Sequence, residues 1–243
     1  MSIKKQLIVP SASSVPSSSK SLKRIMIDYK EIVNEPLDNI CYYQDEDNIY
    51  KGFALIIGPK DTPYENGYYF FEFTFPESYP FNPPKVKFHT YDGFTRFNPN
   101  LYINGNVCLS ILNTWEGEKW SSCQSIRSIL LTLSTVLNDK PLLNEPGITQ
   151  SHKDFDTYNN MLEYKNIEIS ILKYLEKTNL NYVFHPFYRK MVEHFLQSYE
   201  AIIKRLDKPT KKIQLSIYNS TSYNLEYLQL SNKVNMVYNE LKV

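Results

Sequence analysis

The chain has 243 residues, a formal net charge of +1 and 42% hydrophobic residues. That length suits one large domain, or a core of about 150 residues with an extension. The near-neutral balance gives no basis for binding nucleic acid or an anionic membrane, and no run of about 18 apolar residues is present that could cross one.

Residues 1–20 are Ser-rich with two prolines (PSASSVPSSSK), a composition that buries too little to fold alone, so a disordered tail is expected. Leu22, Ile25, Met26, Tyr29 and Ile32 then recur at helical spacing, predicting a helix over 21–34 capped by Ser21, with Lys23, Arg24 and Lys30 off the apolar stripe. Residues 39–44 read as a modest first strand and 53–57 as a second. Gly58-Pro59 and Thr62-Pro63 break the chain, Asn66-Gly67 signals a turn, and 68–75 alternate with Tyr69, Phe71, Phe73 and Phe75 on one face. That aromatic face reads as core. A Pro-rich turn, Tyr79–Pro84, leads to a fourth strand at 85–88.

Residues 96–112 have no sustained period, and a long irregular segment inside a compact domain is characteristically functional or disordered. Ser121-x-x-Gln124 reads as a capping box before a helix carrying Ile126, Ile129, Leu130, Leu133 and Leu137, which Pro141 and Pro146-Gly147 terminate. Beyond residue 150 the pattern is helical: 161–175, then a stripe of Phe187, Met191, Phe195, Tyr199, Ile202 and Leu206 ended by Pro209, a basic polar connector over 210–218, and a last helix at 223–241. The organisation expected is a tail (1–20), a core (21–150) and a C-terminal helical extension (151–243).

The N-terminus lacks the apolar segment of a secretory signal. Cys41, Cys108 and Cys123 form no Cys-x-x-Cys pair, a sparse usage that fits a reducing compartment. The location expected is therefore cytoplasmic, extending to the nucleus, or the host cytoplasm for a viral chain. Cys108 follows an Asn104-Gly105-Asn106 turn and stands eight residues after Asn100, which ends an Asn98-Pro99-Asn100 corner. Pro99 makes that corner rigid. An amide beside a thiol can stabilise the oxyanion formed when a thioester is attacked, without adding charge. A lone cysteine before Leu109, Ile111 and Leu112 is equally a small buried hydrophobe. A cysteine hydrolase would need a histidine base, and His89, His152, His185 and His194 sit in no motif. The cysteines and histidines lack metal-ligand spacing, and no Gly-rich nucleotide loop is present.

Residues 64–147 resemble the catalytic core of ubiquitin-conjugating enzymes. Tyr79-Pro80-Phe81-Asn82-Pro83-Pro84-Lys85-Val86 is similar to that family's Tyr-Pro-Phe-x-Pro-Pro-x-Val segment. Asn100 and Cys108 stand at its spacing from oxyanion asparagine to catalytic cysteine, and Trp120-Ser121-Ser122 resembles its Trp-Ser-Pro loop. Asn98 replaces the usual histidine, Ser122 a proline and Ser110 a frequent acidic residue, while RFNPN, VCLSILNTW and NEPG look most like the large Z-type members.

The resemblance implies an α+β fold: an N-terminal helix, a four-stranded antiparallel meander, a central helix and additional C-terminal helices. It implies that ubiquitin or a ubiquitin-like protein is taken from an activating enzyme as a Cys108 thioester and passed to a lysine, alone or with a ligase. ATP would be consumed upstream by the activating enzyme, so no cofactor or metal is expected. In that scheme Asn100 donates to the oxyanion or braces the loop, and Glu145, or Asn144 with a one-residue offset, is the acidic gate residue. Trp115 and Trp120 wall the groove, with core filling an equal reading for Trp120; Asn98 braces its turn, against a plain reading as a solvated loop amide; and the first helix docks the activating enzyme. Phe81 and Ser122-Cys123 correspond to ligase-gripping loops, against a plain reading in which Phe81 is core and Cys123 an apolar filler. The competing function is a catalytically silent adaptor on the same fold that binds ubiquitin or a ligase.

Overall fold

The computed structural model describes residues 17–218 and 220–242. Its elements are helix α1 (Ser17–Asn34), strands β1 (Ile40–Gln44), β2 (Lys51–Ile57), β3 (Tyr68–Thr74) and β4 (Lys85–Phe88), helices α2 (Ile126–Val136), α3 (Phe155–Lys165) and α4 (Tyr188–Arg205), strands β5 (Lys211–Gln214) and β6 (Ser222–Leu225), and helix α5 (Tyr227–Leu241). The first four strands form an antiparallel meander in the order β1-β2-β3-β4. The fold is α+β, and the four strands lie within a residue or two of where period-two alternation places them.

Helix α1 begins at Ser17, four residues earlier than expected. Residues 1–16 of the expected tail lie outside the described residues. Ser21 is no cap: it falls on the buried stripe with Ile25, Asp28 and Ile32, at i, i+4, i+7 and i+11. Asp28 anchors the helix, accepting from Arg24 Nε (2.7 Å), from the Tyr79 hydroxyl and from the Ile126 backbone N–H at the start of α2 (3.2 Å). A buried carboxylate is tolerable because each of these donors faces it. Arg24 also donates to Ser122 O (2.7 Å) and to Gln124 O, so it is a tie between α1 and the loop before α2, whereas Lys23 and Lys30 remain exposed. The α2 cap is Ser125 with Ser128, a reciprocal box one turn later than Ser121 and Gln124. Gln124 instead closes a turn onto Ser121 O (3.0 Å).

Register fixes which residues share each sheet face. Pairing of Ala54 with Phe71, Ile56 with Tyr69, and Phe71 with Phe88 puts these on the face packed by the central core. The opposite face carries Tyr43, Phe53, Tyr68 and Phe70, and it is also buried, by the C-terminal segment. Phe184 meets Phe53 (5.7 Å between ring centroids), Phe70 (4.8 Å) and His89 (5.2 Å), and Phe187 meets Tyr43 (5.3 Å). The Tyr68 hydroxyl donates to Met191 O (2.8 Å). The sheet is thus sandwiched, and one hydrophobic cluster runs from Ile25 to Val234.

The C-terminal part is not wholly helical. Helix α3 loosens into a π-helix over Asn166–Lys173, where buried Asn166 accepts from the Tyr69 hydroxyl (2.6 Å) and donates to Glu65 O (2.8 Å). The expected connector forms β5, and residues 223–225, expected to begin the last helix, form most of β6. The two strands pair antiparallel as a ribbon. Asp154 fastens it: one carboxylate oxygen accepts from Ser216 N (3.0 Å), Ser216 Oγ (2.6 Å) and Ile217 N (2.8 Å). No helix among the described residues is long and apolar enough to cross a membrane.

Truncating Phe184→Ala should cost about 3–5 kcal/mol in urea unfolding, the range for buried phenylalanines; a loss under about 1 kcal/mol would show that the second layer does not pack. Burial works against ionising Asp154, but the Ser216 hydroxyl and the Ile217 and Ser216 N–H groups outweigh it and hold its pKa below the usual carboxylate range. Its contribution is therefore present above the unfolded carboxyl pKa and lost as pH falls through the lower folded value. Asp154→Asn should flatten that acid limb of the stability–pH curve.

Candidate functional site: an open thiol on a braced hairpin

The segment without periodicity folds as a small hairpin. Leu101 bridges Val107 antiparallel, Tyr102 N donates to Asn106 O (2.9 Å), and Cys108 N donates to Asn100 O (2.9 Å). Its turn needs Gly105, whose φ is +86° and whose missing Cβ would lie 2.8 Å from Phe88 O. That closeness lets Phe88 N donate to Gly105 O (2.8 Å), docking the hairpin on β4.

The Asn98 side chain braces the hairpin from behind. It is fully buried. Nδ2 donates to the Tyr64 hydroxyl (2.9 Å) and to Val136 O at the end of α2 (2.9 Å), and Oδ1 accepts the Asn100 N–H (2.9 Å). The amide NH2 donates twice while its oxygen accepts, whereas a neutral imidazole has only one donor nitrogen. Asn100 Nδ2 then donates to Cys108 O (2.8 Å). With the Cys108 N to Asn100 O bond, this ties the two residues together twice. In this state the Asn100 amide braces the loop; one Nδ2 hydrogen is used, and no acceptor for the second is found among the described residues.

Cys108 itself is partly exposed. Its Sγ lies 2.9 Å from Thr114 O. Sequence reasoning missed Thr114, which nonetheless closes the loop beyond the cysteine: its hydroxyl receives Leu109 N–H (2.9 Å) and has its single hydrogen within reach of Val107 O (2.9 Å) or Leu109 O (3.1 Å). The sulfur opens on a cleft of about 640 Å³ lined by Pro83, Pro84, Val86, Tyr102, Leu112 and Thr114 among others. Burial pushes the Cys108 thiol up and Arg96 opposes it. Arg96 is fixed by donating to Asn98 O (3.0 Å) and Pro99 O (2.6 Å), with its guanidinium 3.5 Å from the centre of the Tyr102 ring.

Other expected positions fall differently. Neither tryptophan lines the cleft. Trp120 is 9% exposed, packs on Tyr79 and donates Nε1–H to Pro80 O (2.6 Å), while Trp115 is exposed. Phe81 is 72% exposed rather than core, and Cys123 is exposed rather than a filler. Proline on both sides of Phe81-Asn82 keeps the chain from folding back to cover that ring. No histidine lines the cleft: His89 contacts Glu72 (3.1 Å) and packs on Phe184, so it belongs to the covered sheet face. Asn144 Nδ2 reaches Asn98 Oδ1 (3.4 Å), and the next residue, Glu145, accepts from the Tyr218 hydroxyl (2.8 Å). No group of three or more potential metal ligands occurs among the described residues.

With this geometry in place, comparison with known proteins is informative. Residues 24–171 match the family model described as ubiquitin-conjugating enzyme. The chain is 38% identical to ubiquitin-conjugating enzyme E2 Z of Xenopus tropicalis over 192 residues, 77% of this chain and 61% of that protein. It is 40% identical to the Homo sapiens E2 Z over 163 residues, 66% and 46% of the two chains. It is also 44% identical over 127 residues to the human dual E2 ubiquitin-conjugating enzyme/E3 ubiquitin-protein ligase BIRC6, 46% of this chain and 3% of that one. The chain thus spans only about half to three-fifths of the length of the E2 Z proteins it matches.

Replacing Arg96 with leucine removes the cation that opposes desolvation of Cys108, so its thiol pKa should rise further. In a Cys41→Ala, Cys123→Ser background, the midpoint of iodoacetamide alkylation against pH should move to higher pH. An unchanged midpoint would show that Arg96 does not act on the sulfur.

Proposed function

Because the chain belongs to the ubiquitin-conjugating enzyme family, we propose that it accepts ubiquitin, or a ubiquitin-like modifier, from an activating enzyme as a thioester on Cys108 and passes it to a substrate lysine, alone or with a ligase. The observation that carries this reading is the partly exposed Cys108 sulfur, opening on a cleft and seated on a doubly tied hairpin. No histidine base lines that cleft, and none is required. The incoming carboxyl group is already activated, so exchange from one sulfur to another costs little net free energy.

In the first step the Cys108 thiolate attacks the thioester carbonyl on the activating enzyme. A new C–S bond forms at Sγ, and the old thiol leaves with its electron pair. In the second step a lysine that has lost its ammonium proton attacks the Cys108 thioester. The N–C bond forms, the C–Sγ bond breaks, sulfur leaves as thiolate, and the amine's remaining excess proton passes to the thiolate or to solvent. Asn100 serves both steps: one Nδ2 hydrogen holds the loop, and the other meets the oxyanion after a small side-chain rotation. Glu145 provides the carboxylate that favours the approach of the lysine. ATP acts upstream, and the chain itself uses no cofactor.

The partner surfaces follow from exposure. Lys23 and Lys30 on α1 face the activating enzyme, and the exposed Phe81 with Ser122 and Cys123 offers a ligase an aromatic anchor. A reducing compartment, the cytoplasm extending to the nucleus, suits three free cysteines.

Incubation with ATP and activating enzyme–modifier pairs should give an adduct that dithiothreitol cleaves. Cys108→Ala should give none, and Cys108→Ser a dithiothreitol-resistant ester or none. Asn100→Ala should slow discharge to lysine by about 10²-fold. An adduct unchanged in Cys108→Ala would overturn the assignment, and modifier binding without any adduct from the wild type would make the chain an adaptor.

A further inference from the structure

The ribbon β5–β6 and its connection bring a residue from far along the chain to Glu145, the carboxylate proposed to favour the approach of the lysine. Tyr218 has φ of +66°, a left-handed conformation rarely adopted by an aromatic residue. Asn or Gly would suit such a position, so a tyrosine held there points to a use for its side chain. The chain enforces the conformation from the preceding residues: Asp154, almost fully buried, receives Ser216 N–H, Ser216 Oγ–H and Ile217 N–H.

The ring that results is placed by three groups of the core. The Tyr218 hydroxyl donates to Glu145 Oε2 at 2.8 Å. Its ring lies 5.2 Å from the Arg96 guanidinium carbon and 6.2 Å from the Tyr158 ring. Tyr158 in turn donates to Arg96 O (2.6 Å). Arg96 is the residue that grips Asn98 O and Pro99 O, stacks on Tyr102 of the cleft wall, and is electrostatically coupled to the Cys108 thiol. Tyr218 therefore bridges the two charged groups of the site, one on the cysteine side and one on the proposed lysine side. Although Tyr218 is 37% exposed, partial desolvation, then the hydrogen bond and charge of Glu145, raise its hydroxyl pKa, so it stays a donor at working pH.

We propose that Tyr218 is a positioning residue for acyl transfer: the ribbon carries it to Glu145, where it fixes one carboxylate oxygen and leaves the other directed to the incoming lysine. The inference rests on the proposed thioester chemistry and deepens it. A free carboxylate on an extended side chain samples several rotamers; one charge-assisted hydrogen bond from a clamped tyrosine selects among them. The C-terminal ribbon is then part of the transfer site and not only a cover for the core. Charge on the lysine matters to this arrangement. A nucleophile already neutral near pH 7, such as hydroxylamine, has no ammonium proton to lose and gains little from Glu145.

The test uses the full chain loaded with modifier, the activating enzyme then being quenched, and follows single-turnover discharge to free lysine and to hydroxylamine. Tyr218→Phe keeps the ring against Arg96 and Tyr158 and removes only the hydroxyl. The ratio of lysine to hydroxylamine rate should fall about fivefold, the scale of one lost hydrogen bond. In a Glu145→Ala background the same change should do nothing further, since the hydroxyl then has no partner to hold. An unchanged ratio in Tyr218→Phe, an equal fall for both nucleophiles, or full additivity with Glu145→Ala would each overturn the inference. Failure of the wild type to load would overturn the thioester reading instead, and the two failures are separable because loading is measured first.

Discussion

The site depends on one buried amide. Asn98 spends both ends of its side chain inside the protein, donating to Tyr64 and to the last carbonyl of α2 and receiving the Asn100 N–H. Through it the β2–β3 connection, the end of the central helix and the cysteine hairpin are fixed to one point. An unsatisfied buried amide is costly, so the geometry in which all its bonds are made is strongly preferred over any other. Asn100 inherits that position and passes it to Cys108 through two hydrogen bonds, one from each residue's nitrogen. The sulfur can then be exposed without being mobile. The proposed transfer, in which the thiol holds a carboxyl terminus and presents it to an amine, needs both properties, because a misplacement of about 1 Å is costly in such reactions.

The second layer shapes the site from a distance. Phe184 and Phe187 close the sheet face that the central helix leaves uncovered. From there the chain returns through α4 to the ribbon that Asp154 pins against the core. Packing, rather than a linker, joins the C-terminal segment to the half that carries Cys108, and the connection between β5 and β6 meets Glu145. Arg205 adds a further tie, donating to Glu65 Oε2 (2.7 Å) and Thr62 O (3.0 Å) in the β2–β3 connection. The C-terminal helices are thus tied to the sheet face and to the β2–β3 connection by a continuous set of contacts.

Much of this was legible in the sequence, for identifiable reasons. The meander declared itself because each strand has a distinct aromatic or branched period of two, and α2 and α4 because their stripes are long and apolar. The motif around Asn98, Asn100 and Cys108 was legible because its chemistry depends on residue types at fixed spacing. The ribbon was not: Lys211, Lys212 and Gln214 of β5 are exposed and only Ile213 is buried, so no alternation separates it from a polar loop. Nor was the hairpin of the cysteine, held by isolated bridges rather than a ladder. Thr114 carried no signal because its role is set by backbone groups. The sequence left Phe81 and Trp120 each with two readings, exposed or core for the one and groove wall or core for the other, since exposure of a single ring is decided by what packs above it.

The sulfur is open while the chain beneath it is locked. Amide hydrogen exchange read at Cys108, in the free protein, measures the lock directly. The Cys108 N–H, bonded to Asn100 O, should exchange as slowly as the amides of β3 even though the thiol beside it reacts with an alkylating reagent. Exchange of that amide at the rate of an exposed loop would contradict such a lock, because the hairpin would then be open and the cysteine held by nothing.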